Sequence, residues 1–403
     1  MSDDALSSIP AARWGGMSSA ELALAVGGFG IGTGEFAIMG LLPQVAGDFS
    51  VSVPFAGHVI SAYAIGVVVG APLLAVLAAR FSRHNVLLAL MSLFALGNLA
   101  SAVADSFGLL VAARFLAGLP HGAYFGVAAL VAAGMAAPHQ RARAIGRVMM
   151  GLTVATLLGT PLAAWFGQAL GWRAAFAIVG VISVLTVVLT WLFVPKDKAN
   201  PSATPLKELG AFGKSQVWLT LGICAIGCGG MFSVFSYITP ALTEVAGISL
   251  GTVPIMLSVF GAGMILGNIV GSRLADWKLM PAIGIALVFN LVAYVLFYFT
   301  MTTPWMAVVN VLLIGGGFAV VPGIQMRLMD VAGEAQTLAA AASHSAFNLA
   351  NALGAWLGGL SIAAGYGWTS TGLVGAMMSV AGIGIFLSSV LLDRSRVAVS
   401  DRK

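Results

Sequence analysis

Charge is scarce in this chain: Asp, Glu, Lys and Arg together make up 8% of its 403 residues. So few polar groups cannot clothe a soluble domain, which excludes the ordinary globular classes. Cysteine is rarer still, with Cys224 and Cys228 the only two. They lie four apart on one face of an apolar helix, without His or acidic neighbours at ligand spacing, so packing is preferred to a disulfide or a metal site. The glycine clusters Gly28 to Gly34 and Gly315 to Gly317 lack the Lys and Ser/Thr of a phosphate loop, which removes a nucleotide site and direct use of ATP. No nucleophile and base pair and no appended soluble domain is visible, so the chain does not read as an enzyme, and no cofactor is expected.

What is abundant is apolar: 59% of residues are hydrophobic and the mean hydropathy is +1.00. A helix needs roughly 20 apolar residues to cross the hydrocarbon layer. Twelve such runs occur, near 20–43, 55–79, 85–104, 107–136, 144–169, 173–194, 216–243, 251–275, 280–301, 304–328, 336–363 and 368–392. The first is too long, and its Glu35 too polar, for a cleaved signal peptide, so the N-terminus is expected to be retained. The expected fold is an all-α polytopic membrane protein of twelve transmembrane helices.

Lys and Arg accumulate in cytoplasmic loops. With both termini on one side, that side collects Arg13, Arg80, Arg83, Arg141, Arg143, Arg147, Lys196, Lys198, Lys207, Lys214, Arg273, Lys278, Arg327, Arg394, Arg396, Arg402 and Lys403, against Arg173 opposite. Both termini are therefore expected in the cytoplasm. The net charge of +5 follows from topology and attraction to anionic lipid, with no nucleic-acid partner implied.

The polar stretch Lys196 to Lys214 divides the runs into two sets of six. The expected segments are a cytoplasmic tail 1–19, a six-helix bundle 20–195, a cytoplasmic linker 196–215, a second bundle 216–392 and a cytoplasmic tail 393–403. The halves echo each other at an offset of 197: Gly30 with Gly227, Pro43 with Pro240, Gly66 with Gly263, Gly70 with Gly267, Leu77 with Leu274. Parallel six-helix repeats are a transporter architecture, with a substrate site between them near the midplane.

Gly32-Thr-Gly-Glu-Phe-Ala-Ile-Met-Gly-Leu-Leu-Pro43, Ser61-Ala-Tyr-Ala-Ile-Gly66 and Gly70-Ala-Pro72 form one group of motifs. Arg114-Phe-Leu-Ala-Gly118, Pro120-His-Gly-Ala-Tyr124, Gly171-Trp-Arg173 and Asn348-Leu-Ala-Asn-Ala-Leu-Gly-Ala-Trp-Leu-Gly-Gly359 form another. Together they resemble the twelve-helix drug:proton antiporter branch of the major facilitator superfamily, particularly its sugar- and arabinose-efflux-like members. The resemblance implies two pseudo-symmetric halves and a proton-coupled secondary transporter in a bacterial inner membrane. It would export small organic molecules (drugs, sugars or related metabolites) by alternating access, as a monomer.

Two departures bear on gating. The superfamily's loop after helix two usually carries an Asp where this chain has Ala79, beside Arg80 and Arg83, whereas the second half keeps it as Asp276. The helix-five antiporter motif, ordinarily built on Gly-Pro, reads Gly159-Thr-Pro161 here. That departure keeps a proton symporter or a uniporter for sugars or nucleosides as the alternative, with a non-transporting sensor or membrane-embedded enzyme behind it.

Glu35, about two turns before Pro43, is expected well inside the membrane, where a charge at helix centre costs on the order of 2.5 to 3.5 kcal/mol. Desolvation favours the neutral form of a carboxyl, as proton coupling requires. Arg114 reads equally as a snorkelling side chain or as a buried partner of helix carbonyls or of Glu35. His58, His121 and His344 lie on helices without metal-ligand spacing, and His121 is the best placed for a cavity. Asn348 and Asn351 share a face and suit either substrate hydroxyls or a neighbouring helix. Tyr63, Tyr124, Phe232, Phe235, Tyr237 and Trp356 are candidates to line an amphiphilic pocket. Phe232 is the 197-offset counterpart of Glu35, so coupling is expected to sit in the first half.

Overall fold

The computed structural model describes residues 17–78, 80–137, 141–198, 213–332 and 336–400. Twelve helices are long and apolar enough to cross a membrane. The first six are α1 (Ser19–Gly40), α2 (Val53–Leu74), α3 (Arg83–Ala102), α4 (Phe107–Met135), α5 (Ala144–Leu170) and α6 (Trp172–Phe193). The second six are α7 (Ser215–Phe235), α8 (Leu250–Trp277), α9 (Leu279–Thr300), α10 (Pro304–Ala332), α11 (Ala342–Ala363) and α12 (Ser370–Asp393). Ala79, Arg13, Lys207, Arg402 and Lys403 lie outside the described residues, as do most of the expected linker and the outermost parts of both tails.

Local chemistry starts and stops these helices. Ser18 and Glu21 form a reciprocal capping box at the head of α1, while Ser82 and Ser106 accept from the first-turn N–H groups of α3 and α4. Gly171, at φ 91°, makes the sharp corner between α5 and α6 that a Cβ would oppose. The end of the bundle where α1 begins carries Arg83, Arg141, Arg147, Lys196, Lys214 and Lys278; it is the basic end, and the opposite end is the far end.

The halves repeat in their closest contacts as well as in sequence. A Cβ on Gly66 would stand 2.2 Å from the Phe115 carbonyl oxygen, and one on Gly263 2.3 Å from that of Leu312. Likewise Gly70 faces the Leu119 carbonyl at 2.1 Å and Gly267 that of Gly316 at 2.4 Å. Each partner pair is separated by the same offset, so α2 crosses α4 and α8 crosses α10 in one register. Only glycine permits such approach of helix backbones. The outer surface is apolar: Leu96, Phe299 and Leu391 are exposed, with Trp191, Trp218, Trp277 and Trp305 near helix ends. This is the lipid-facing belt that the high hydropathy demands.

The halves meet at the middle and far levels. Thr239 Oγ1 donates to the Met39 carbonyl at 3.0 Å, and Ser61 Oγ to that of Ala352 at 3.3 Å. Phe235 of α7 meets Phe36 of α1 at 6.0 Å, and Gly261 admits the Thr156 backbone of α5.

Candidate functional site

Glu35 sits where α1 stops being an α-helix. The α-helical run ends at Phe36, a tighter 3₁₀ turn follows over Ala37–Gly40, and the last regular bond is Ala37 N–H to the Thr33 carbonyl. The next carbonyl, that of Gly34, accepts Arg114 Nη2 at 2.9 Å. Arg114 is fully buried, so it does not snorkel, and its direct bond is to this backbone oxygen rather than to the Glu35 carboxylate. Its guanidinium lies over the rings of Tyr63 and Phe176, 4.3 and 5.1 Å from their centroids, a desolvated cation held by π-faces. Its Nε and Nη1 have no protein partner.

The Glu35 side chain is 4% exposed. Asn351 Nδ2, from the opposite half, donates to its Oε1 at 3.4 Å, and His121 Nδ1 stands 4.0 Å from its Oε2. The Tyr63 hydroxyl lies 2.9 Å from the same His121 nitrogen. Glu35, Arg114, Tyr63, His121 and Asn351 thus form one buried cluster spanning both halves.

The cluster borders a cavity of about 80 Å³ between the halves, lined by Glu35, His121, Asn348 and His344 among its polar residues. His344 stacks on Phe125 at 5.7 Å and its ring lies 6.2 Å from that of His121 across the α4–α11 seam. Phe36, Phe318 and Phe347 supply the apolar wall, with Phe232 behind, 6.5 Å from Phe36 and 5.1 Å from Phe347. Pockets for drug-sized ligands run roughly 300–1,000 Å³, so this cavity is too small to hold such a ligand as it stands.

Other candidates lie elsewhere. Tyr124 donates to the Leu24 carbonyl at 2.8 Å inside the first half, in the space Gly27 leaves. His58, Tyr237 and Trp356 border a separate crevice at the far end, between α2 and α11. There His58 Nδ1 is 2.7 Å from the Phe55 carbonyl and Tyr237 donates to that of Ala355 at 2.8 Å. Phe235 belongs to the far-level seam. Gly159 closes a π-helical turn in α5, where a Cβ would meet Thr33 Oγ1 at 2.1 Å, and Pro161 begins the segment beyond it. Arg80, Arg83 and Asp276 stand at the basic end, all three exposed.

Sequence patterns did not single out Phe36, Phe318, Phe347 or Cys224 as cavity residues, because nothing in an apolar run marks which face meets the opposite half. Asp197 was also missed. It follows α6 and caps α3, accepting from the N–H groups of Arg83 and His84 at 3.0 and 3.1 Å. Partial burial pushes its carboxyl up, but these backbone donors outweigh that and hold it below the ordinary aspartate value. Among the described residues no group of three His, Cys, Asp or Glu side chains is placed to hold a metal ion.

A twelve-helix, two-half bundle around a central polar cluster is a membrane transporter architecture. The model of the Major Facilitator Superfamily matches residues 24–355. The Escherichia coli K12 inner membrane transport protein YdhP is 40% identical over 367 residues, covering 91% of this chain and 94% of that protein. A chloramphenicol resistance protein of Streptomyces lividans is 32% identical, covering 82% of this chain and 86% of that protein. In fold, the chain is similar to a D-xylose-proton symporter with a TM-score of 0.70 at 16% identity, covering 90% and 96% of the two chains. The chain belongs to the major facilitator superfamily, a family of transporters and not of enzymes.

Proposed function

We propose that this transporter exports small organic molecules in exchange for protons, with Glu35 as the group that carries the proton. The supporting observation is the carboxylate's position: buried between the halves, beside the cavity, and bonded by Asn351 from across the seam. Protonation removes the charge that this amide donor and the Arg114 guanidinium favour, so the proton load of Glu35 alters a contact between the two bundles. A transporter couples ion to cargo through such a difference between its states.

Bundles 20–195 and 216–392 rock about the cavity as alternating bodies. The surplus of Lys and Arg at the basic end supports a cytoplasmic location for that end and both termini, in a bacterial inner membrane. With the far-level seam closed, cargo loads from the cytoplasm and leaves when the seam opens. The resistance function in the name of the Streptomyces lividans relative supports the outward direction. The cluster and cavity are complete within one chain, which supports a monomeric transporter.

Glu35→Gln mimics the permanently protonated form. In proteoliposomes it is expected to abolish transport driven by a pH gradient while leaving the fold intact. Gradient-driven efflux at the wild-type rate sends the proton elsewhere, with His121 and His58 the next candidates.

A further inference from the structure

Asn348 and Asn351 are both about 1% exposed and one helical turn apart on α11. Asn348 Nδ2 donates to the His344 carbonyl at 3.1 Å, an oxygen that can only accept, so the amide's orientation is fixed. Asn351 Nδ2 likewise places one N–H on Glu35 Oε1. Both Oδ1 atoms are left buried without a hydrogen-bond partner. A buried carbonyl oxygen without a donor is costly, roughly 1–3 kcal/mol each. Asn348 on the cavity wall, and Asn351 against Glu35 which also lines it, thus each hold an open acceptor, with one of the two N–H groups of each amide already used.

The charge balance of the site is also constrained. Glu35 is the acid of the cluster and Arg114 its permanent cation, close enough for its charge to act on Glu35. With Glu35 ionised the pair sums to zero, and with Glu35 protonated it is positive. The other titratable groups facing His344 and Glu35 are His121 on α4, His344 itself, the Tyr63 hydroxyl on α2 and the Cys224 thiol on α7; protonating either histidine adds positive charge, and the hydroxyl and thiol are neutral while they keep their protons. With the Tyr63 hydroxyl and Cys224 thiol protonated, the cluster presents no net negative charge whether Glu35 is ionised or not. Among the described residues no Lys or Arg lines the cavity: Arg114 lies behind its wall, with Nη2 on the Gly34 carbonyl and its plane over the Tyr63 and Phe176 rings. An anionic cargo therefore finds no guanidinium or ammonium donor on the cavity wall, and a cationic one finds no uncompensated charge to offset its desolvation.

We infer that the cargo is a neutral molecule with an aromatic or apolar body and hydroxyl donors, which it presents to Asn348 Oδ1 and Asn351 Oδ1 while its body rests on Phe36, Phe318 and Phe347. Binding accompanies a parting of the halves, because the cavity is too small for such a ligand. This deepens the exporter reading and rests on it for the location of the site.

The test is equilibrium dialysis of the purified protein against three probes with a common nitroaryl group: 4-nitrophenyl β-glucoside, its tetra-O-methyl ether, and 4-nitrobenzyltrimethylammonium. The glucoside is expected to bind at least tenfold more tightly than either of the others. Asn348→Leu and Asn351→Leu each reduce glucoside binding about tenfold. Asn348→Asp lowers the charge of the cluster by one, making it net negative when Glu35 is ionised, and is expected to gain affinity for the ammonium probe. Glucoside binding that is absent, or no tighter than that of the ether or the ammonium, overturns the inference, whatever the folding of the variants. The ranking is read without a pH gradient, so it is separable from proton coupling. Persistent gradient-driven transport by Glu35→Gln with the ranking intact sinks the proton assignment alone, and a reversed ranking with coupling lost sinks the cargo class alone.

Discussion

Thr239→Val removes the hydroxyl that joins the far ends of the two halves while keeping the shape of the side chain. In the closed seam Thr239 is 1% exposed and its Oγ1 donates to the Met39 carbonyl, 3.0 Å away. When the far end opens, water can satisfy both groups, so the substitution penalises the closed state selectively. A buried neutral hydrogen bond contributes about 1 kcal/mol, and stranding its acceptor raises the cost to about 2 kcal/mol. That corresponds to a roughly 5- to 30-fold rise in the ratio of far-end-open to far-end-closed molecules. Spin labels at Gly47→Cys and Gly251→Cys, where a side chain meets nothing within 4 Å, report the distance across this end. The label background needs Cys224 and Cys228, both free and buried, replaced by serine. The expected result is growth of the long-distance population in Thr239→Val, with the wild-type distribution in Thr239→Ser. An unchanged distribution in Thr239→Val, or a shift to shorter distances, refutes the assignment of this bond as a far-end latch.

Gly267→Val forces a side chain into the Gly316 carbonyl oxygen, 2.4 Å from the ideal Cβ, and is expected to cost at least 1–3 kcal/mol and lower the thermal midpoint in detergent. A wild-type midpoint contradicts the close α8–α10 crossing. Asp48 is held below the ordinary aspartate value mainly by the Arg173 side chain, 2.5 Å away, and then by Trp172. Because the folded-state value is the lower one, this stabilisation is present above the unfolded aspartate value and fades as pH falls through the lowered one. Arg173→Gln is thus expected to lower the midpoint slightly at neutral pH, by less than about 1 kcal/mol for so exposed a pair, with the difference shrinking in strong acid. A gap that widens on acidification has the wrong sign. Finally, Ser249→Cys, exposed at the far end, is expected to react with an impermeant thiol reagent added outside intact cells. Labelling from the inside alone inverts the proposed orientation.

Much of the architecture was determined by sequence alone. A helix in lipid satisfies its own backbone hydrogen bonds and needs only length and hydropathy, both local properties, so the twelve runs were legible to within a few residues. The glycine pairs at fixed offset were legible too, and they prove to be the α2–α4 and α8–α10 crossings. Glu35 stood out because an acid in an apolar run is rare whatever surrounds it. Which partners it meets was decided by the tertiary structure. Asn351 lies 316 positions away and His121 86, and only the packing of α4 and α11 against α1 brings them to one carboxylate. The same packing separated residues that sequence grouped together: His58 and Trp356 went to a far-end crevice, Tyr124 into the first half, and Arg114 to a backbone carbonyl. Periodicity can say that a helix has a polar face. It cannot say which neighbour that face meets, because in a bilayer lipid, protein and cavity all accept the same apolar sequence.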